Sequence, residues 1–353
     1  MMRISLCMIV KNESHTLARC LDSLKGLFDQ TVIVDTGSTD DTREIAARYT
    51  DEIYDFTWQD DFAAARNFAF SKCTCDYIYS ADADEVLDEK NRRRFSLLKE
   101  ALLPEVEIVQ MKYLEPHAQA VMNATAEYRP KLFRRLRTFT WIDPVHESVR
   151  LDPVVFNSDI EILHLPEKTH TGRDFSLFEK AFQRDGTLSK NLCITYAKEL
   201  LKWGNRQDFA AAADIFQKIE PNASDDPLLL TALFCTMAHS ARLGHRDADF
   251  IKYTAKLLVS DPCSEICCEL GEFFLEKKDY SEAAIWFCNA AFETHCSLDV
   301  HRGGDLPLRR LSECYAALAV RSENDPKQAA SMKALSEQYD AQAKQWVMPE
   351  GDR

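Results

Sequence analysis

Glycine is scarce, with ten in 353 residues, and no two glycines are separated by a single intervening residue. A G-x-G-x-x-G turn is therefore missing, and so is a Walker A loop. The two commonest glycine-rich phosphate cradles are excluded, so any nucleotide bound here is held on other groups. Positive charge is also in short supply. Lys and Arg number 43 against 57 Asp and Glu, a net charge of -14. That balance argues against a broad nucleic-acid surface, which needs clustered positive charge, but it leaves room for a small basic pocket around a phosphorylated small molecule. No apolar run approaches the ~18 residues of a membrane span. The opening "MMRISLCMIVKNE" shows no secretory pattern. The expectation is a cytoplasmic chain without a membrane span. The twelve cysteines contain no C-x-x-C pair, which disfavours a zinc ribbon. They read mostly as small buried hydrophobes in a reduced protein.

What is present, at 46% hydrophobic residues, can fill a core, and the length favours two domains. The first half alternates strand and helix signals. "ISLCMIV" is an unbroken apolar run, as expected of a strand covered on both faces. "SHTLARCLDSLKGL" places Leu17, Cys20, Leu21 and Leu24 on one helical face. "QTVIVD" is a second strand, and "GSTDD" offers N-cap residues for the helix "TREIAARYT". "DEIYDF", "FAAARNFAFSKC" and "DYIYSADAD" continue as strand, helix and strand. This order predicts a parallel sheet with crossover helices. Ligands of such sheets gather beyond the carboxyl ends of the strands. Asn12, Asp35 and Asp82 all follow strand ends, so three polar positions converge on one edge.

The segment "YIYSADADEVL" then sets Asp82, Asp84 and Glu85 just past an apolar strand. Asp82 and Asp84, two apart, can project into the same crevice. Two carboxylates there suit a hard divalent cation with oxygen ligands, Mn²⁺ or Mg²⁺, which would neutralise a diphosphate. An EF-hand is excluded, because Val86 and Leu87 stand where that loop needs Asp or Asn and then Gly. The competing use is a cap, with Asp84 or Glu85 starting the following helix.

"SLCMIVKNE", "VIVDTGSTDDT", "ARNFAF" and "SADADEVL", in that order, resemble the inverting family-2 glycosyltransferases of GT-A fold. The likeness implies an α/β GT-A domain that binds a nucleotide sugar, usually a UDP-sugar, with Mn²⁺ or Mg²⁺. It implies Asp84 as a metal ligand and Asp82 as a contact to the ribose, or to the metal through water. Asn12, Glu13, Asp35 and Arg66 would line the nucleotide-sugar site. Where many members carry two adjacent aspartates after the second strand, this chain has Asp35-Thr36. Asp35 would read the base, or other groups would. Arg66 would neutralise diphosphate, hold a sugar hydroxyl, or form a salt bridge on a helix face. "YRPKLFRRLRTFTWIDPVHESV" is similar to a subgroup containing lipopolysaccharide-core glucosyltransferases and sublancin-type bacteriocin glycosyltransferases. By that likeness Glu147 would be the general base, with Asp143 the alternative, because an attacking hydroxyl or thiol must lose its proton. "EILHLP" matches a late metal-binding histidine, which makes His164 a third ligand or else a satisfied histidine at a strand end. The basic run Arg129, Lys131 and Arg134 reads as a phosphate or acceptor contact or as a solvated strand edge.

After about residue 165 the texture changes. Residues 267–293 resemble one tetratricopeptide repeat, with Leu270, Gly271, Phe274, Tyr280, Ala283 and Ala290 at its characteristic places. Two weaker copies precede it. The expected organisation is a GT-A domain over 1–165, a connector over 166–190 and an all-α tetratricopeptide-like domain over 191–345. Such stacks grip extended peptides and also dimerise. The expected reaction moves sugar to a Ser, Thr or Cys side chain of a peptide or protein, with a homodimer through the helical domain as a further possibility. A saccharide or lipopolysaccharide-type acceptor and a non-catalytic scaffold are the alternatives. A nucleotidyltransferase would need a glycine-rich loop where "KNESHT" stands.

Overall fold

A computed structural model describes residues 2–114, 127–135, 141–142, 148–149, 153–165, 171–223, 225–322 and 324–347. Contacts divide the chain into two units, Met1–His170 and Thr171–Arg353.

The first unit runs β1 (Ile4–Val10), α1 (Leu17–Leu24), β2 (Gln30–Asp35), α2 (Thr42–Ala46), β3 (Ile53–Asp55), α3 (Phe62–Lys72), β4 (Tyr77–Ala81), β5 (Glu85–Val86) and α4 (Glu89–Ala101). It continues with β6 (Ile108–Leu114), β7 (Glu127–Arg134), β8 (Trp141–Ile142), β9 (Ser148–Val149) and β10 (Val155–His164). The main sheet has the order β3-β2-β1-β4-β7-β6-β10-β5, and β8 pairs with β9. β1 is parallel to both β2 and β4, while β7 runs antiparallel to β4 and β6. This is the α/β architecture implied by the family resemblance. Ile4, Leu6, Met8 and Val10 face one core with Leu17, Cys20, Leu21 and Leu24 of α1. Cys7 faces a second core with Val32, Ala69 and Ile78. The apolar run of β1 is thus covered on both faces, as expected of a central parallel strand.

The second unit is helical: α5 (Thr171–Asp185), α6 (Lys190–Trp203), α7 (Arg206–Ile219), α8 (Pro227–Leu243), α9 (Asp247–Ser260), α10 (Ser264–Glu276), α11 (Tyr280–Cys288), α12 (Asp305–Arg321) and α13 (Pro326–Gln345). Helix α5 lies inside the stretch expected as a connector. Neighbouring helices pack in succession, α7 on α8, α8 on α9, α10 on α11 and α12 on α13. At the clean repeat, Gly271 of α10 lies under the Phe287 ring of α11, where an added Cβ would fall 2.6 Å from a ring carbon. Within this unit Glu269 is buried against His239, Arg242 and Arg302. All twelve cysteines are unbridged, and all but Cys288 and Cys296 are buried. Among the described residues no helix is long and apolar enough to cross a membrane.

Candidate functional site

The parallel register aligns Val10 with Asp35 and Met8 with Ala81. The carboxyl ends of β1, β2 and β4 therefore share one edge of the sheet. There Asn12 adopts a left-handed backbone, φ 56°, a region Asn tolerates better than most residues. The chain then turns along the loop that follows β2. Side chains of that loop and of the first residue of α2 accept successive amides: Asn12 N–H donates to Ser38 Oγ (2.9 Å), Glu13 to Thr42 Oγ1 (2.7 Å) and Ser14 to Asp40 Oδ2 (3.1 Å). Asn12 Oδ1 accepts in return from Thr39 N–H at 2.7 Å. Asp35 is buried, and its Oδ1 accepts from the amides of Gly37 (3.1 Å) and Ser38 (2.9 Å). Gly37, at φ 98°, supplies the turn. The "GSTDD" cluster thus ties two strand ends together. Asp40 also reaches Thr42 N–H at 3.1 Å, while Asp41, the residue at the N-cap of α2, makes no side-chain cap.

The acidic segment separates into two arrangements. β5 returns antiparallel to β10 and aligns Glu85 with His164. That pairing sets His164 Nε2 at 3.0 Å from Asp84 Oδ2, and both side chains are 19% exposed. Leu165 N–H donates to Asp84 O at 3.0 Å, and the Tyr113 ring lies against His164 at 4.9 Å. Asp82, whose side chain is 44% exposed, turns elsewhere. Its Oδ2 is 3.5 Å from Lys131 Nζ, and its Oδ1 is 3.9 Å from Arg66 Nη2. Burial opposes the Asp82 charge, but Lys131 and Arg66 outweigh it and hold the carboxyl well below the usual range. Lys131 is almost fully buried and also donates to Glu85. Burial pushes Glu85 up to about 7; Lys131 opposes the rise and Asp82 adds to it.

Neither Asp84 nor Glu85 caps a helix. Asp88 caps α4, its Oδ1 accepting from Asn91 N–H at 2.8 Å. The basic run is not a solvated edge either, because β7 lies between β4 and β6 in the sheet interior. Arg66 donates from Nη1 to Ser80 Oγ at 2.5 Å and covers the Trp141 ring at 4.8 Å. It therefore faces the end of β4. Next to it, Asn67 pins β8, donating to Trp141 O (3.0 Å) and accepting from Trp141 N–H (2.8 Å). Sequence reasoning missed this clamp. Glu13 lies at the same strand edge, where its Oε2 accepts from Thr16 Oγ1 at 2.6 Å. Asp143 and Glu147 lie outside the described residues.

Among the described residues no three His, Cys, Asp or Glu side chains gather as a ready metal site. The Asp84–His164 pair nonetheless fits a divalent cation in donor type and spacing. Two cis ligands of an octahedral ion at about 2.1 Å stand about 3.0 Å apart. Asp82, engaged by Lys131 and Arg66, does not join them in this structure.

Residues 5–135 match the family model "Glycosyl transferase family 2". An uncharacterized glycosyltransferase of Rickettsia prowazekii is 27% identical over 226 residues, 58% of this chain and 70% of the relative. The SPbeta prophage-derived glycosyltransferase SunS of Bacillus subtilis is 29% identical over 160 residues, 44% of this chain and 36% of SunS. A TPR repeat-containing protein of Synechococcus elongatus is 46% identical over 87 residues, 25% of this chain and 22% of that protein. The chain thus spans well under half the length of the last two relatives. Among solved structures, S. aureus TarS in complex with UDP aligns at 12% identity and TM-score 0.41, over 71% of this chain and 89% of that one.

Proposed function

With a family-2 glycosyltransferase domain over residues 5–135 as its premise, we propose that the protein is an inverting glycosyltransferase. In this reading it moves a sugar from a UDP-sugar to a Ser, Thr or Cys side chain of a peptide or protein. The observation that carries the reading is the 3.0 Å approach of Asp84 and His164 beyond the carboxyl end of β4. Asp84 and His164 would hold Mn²⁺ or Mg²⁺, with imidazole favouring Mn²⁺. When bound, the cation supplies positive charge to the diphosphate leaving group. Arg66, fixed between Ser80 and Trp141, adds a second positive charge beside it. Asp82, held by two cations, would orient the nucleotide, and Asn12, Glu13 and Asp35 would shape the wall on the side of β1 and β2.

The acceptor proton goes to a base on the face opposite the diphosphate. Glu147 takes that role in this reading, with Asp143 the alternative. The helical unit would grip the acceptor peptide on stacked helix pairs or join a second copy of the chain.

The reading is tested by UDP-sugar hydrolysis, because an active transferase leaks sugar to water. UDP release that requires Mn²⁺ or Mg²⁺ and is lost in Asp84→Ala supports it. No turnover with any UDP-sugar, with or without metal, supports a scaffold instead.

A further inference from the structure

Lys131 lies in the middle of the sheet, 5% exposed, which is an unusual place for an ammonium group unless it is paired. It comes from β7 and reaches the segment beyond β4. There it meets Glu85 and stands 3.5 Å from Asp82 Oδ2. Arg66 approaches the other oxygen of Asp82 at 3.9 Å. Two carboxylates thus face two cations. A third link closes the set, since Asp82 N–H donates to Glu85 Oε2 at 3.3 Å. The Tyr113 ring, 5.5 Å from Lys131 Nζ and 4.9 Å from His164, walls this group from the imidazole side. Asp84, two residues on, meets His164 in place of a lysine or arginine.

We propose that Lys131 is a positioning residue that anchors the Asp82 carboxylate away from the Asp84–His164 pair, dividing the acidic segment into a nucleotide-orienting carboxylate and a cation-binding one. The inference rests on the donor-site reading above. A buried charge pair fixes geometry well because neither partner can leave without stranding the other in a low-dielectric interior. Without the anchor, Asp82 is a half-exposed side chain that keeps only the longer approach of Arg66. Lys131 touches neither the cation nor the nucleotide in this account. It acts through Asp82.

The test separates two affinities. Glu85→Gln/Lys131→Met removes the buried pair without stranding a charge, and a thermal melt checks its folding. The second variant, Lys131→Gln, removes the ammonium and leaves a shorter neutral donor on the side of Glu85. UDP binding at saturating Mn²⁺ is measured by calorimetry, and binding of Mn²⁺ alone by electron paramagnetic resonance. Each folded variant is expected to bind UDP about tenfold more weakly, the order of one charge-assisted contact, with the Mn²⁺ affinity within about threefold of wild type. A folded variant with wild-type UDP affinity overturns the inference, and so does an equal loss of both affinities, which would mark a merely structural lysine. If the wild-type protein binds neither UDP nor Mn²⁺, the donor-site reading fails, a result distinct from either of these.

Discussion

His164 and Asp84 stand 80 positions apart in the chain, yet Nε2 of the one lies 3.0 Å from Oδ2 of the other. The antiparallel turn of β5 onto the end of β10 brings them together. If this pair holds the cation, Asp84→Ala should abolish metal-dependent UDP release from a UDP-sugar. His164→Ala should lower the Mn²⁺-supported rate by about tenfold or more, the scale of a lost metal-site contact, and the Mg²⁺-supported rate by less, since imidazole favours Mn²⁺. A coupled assay of UDP release, run with each metal and with chelator, reads both effects.

Glu147→Gln should lower sugar transfer by roughly 10²–10⁴-fold if that carboxylate takes the acceptor proton. UDP affinity should stay near the wild-type value, because the base faces the acceptor. Single-turnover transfer and calorimetry on one preparation check the two together. Transfer retained in this variant and lost in Asp143→Asn would move the role to Asp143.

Asn67 makes two hydrogen bonds to the backbone of Trp141. Asn67→Ala leaves a buried amide and carbonyl to find new partners, at a cost of about 1–3 kcal/mol each when none is found. The expected result is a lower melting temperature with a red-shifted tryptophan emission as the Trp141 indole becomes wetter.

In the helical unit, burial works against the charge of Glu269, but His239, Arg242 and Arg302 outweigh it and hold its carboxyl well below its ordinary value. A depressed carboxylate stabilises the fold above the unfolded-state pKa, and that contribution is lost as pH falls through the folded value. The melting temperature should therefore drop as the solution is acidified below about pH 4.5. Glu269→Gln should melt lower at pH 7 and show a shallower fall in acid. Melts of both proteins from pH 7 to pH 3 decide this.

Gly271→Ala would drive a methyl into the Phe287 ring, an overpacking worth about 1–3 kcal/mol. Gly271→Ala/Phe287→Leu should recover part of that loss. The two melts, compared with wild type, measure whether the α10–α11 approach depends on this glycine.

Much of the α/β unit is readable along the chain because its signals are local. The face formed by Leu17, Cys20, Leu21 and Leu24 is the buried face of α1, and "ISLCMIV" is β1 residue for residue. The loop after β2 was harder to read. "GSTDD" looks like a helix start, but Ser38 and Asp40 accept from amides 26 positions away, and Thr42 just after it from one 29 positions away. Lys131 shows the same limit from the other direction. A lysine between Pro130 and Leu132 suggests a wet edge, and only the position of β7 inside the sheet reveals a buried ion pair. The D-x-D spacing by itself says only that both carboxylates can reach one crevice. The structure makes them unequal, because Lys131 and Arg66 arrive from distant strand and helix positions that no local spacing encodes.

The most direct measurement of the central claim is an anomalous-difference map from crystals grown with UDP and Mn²⁺. The account predicts a manganese peak within ligand distance of Asp84 Oδ2 and His164 Nε2, with the diphosphate on its open side. A nucleotide bound with no such peak, or a peak that touches neither residue, would contradict it.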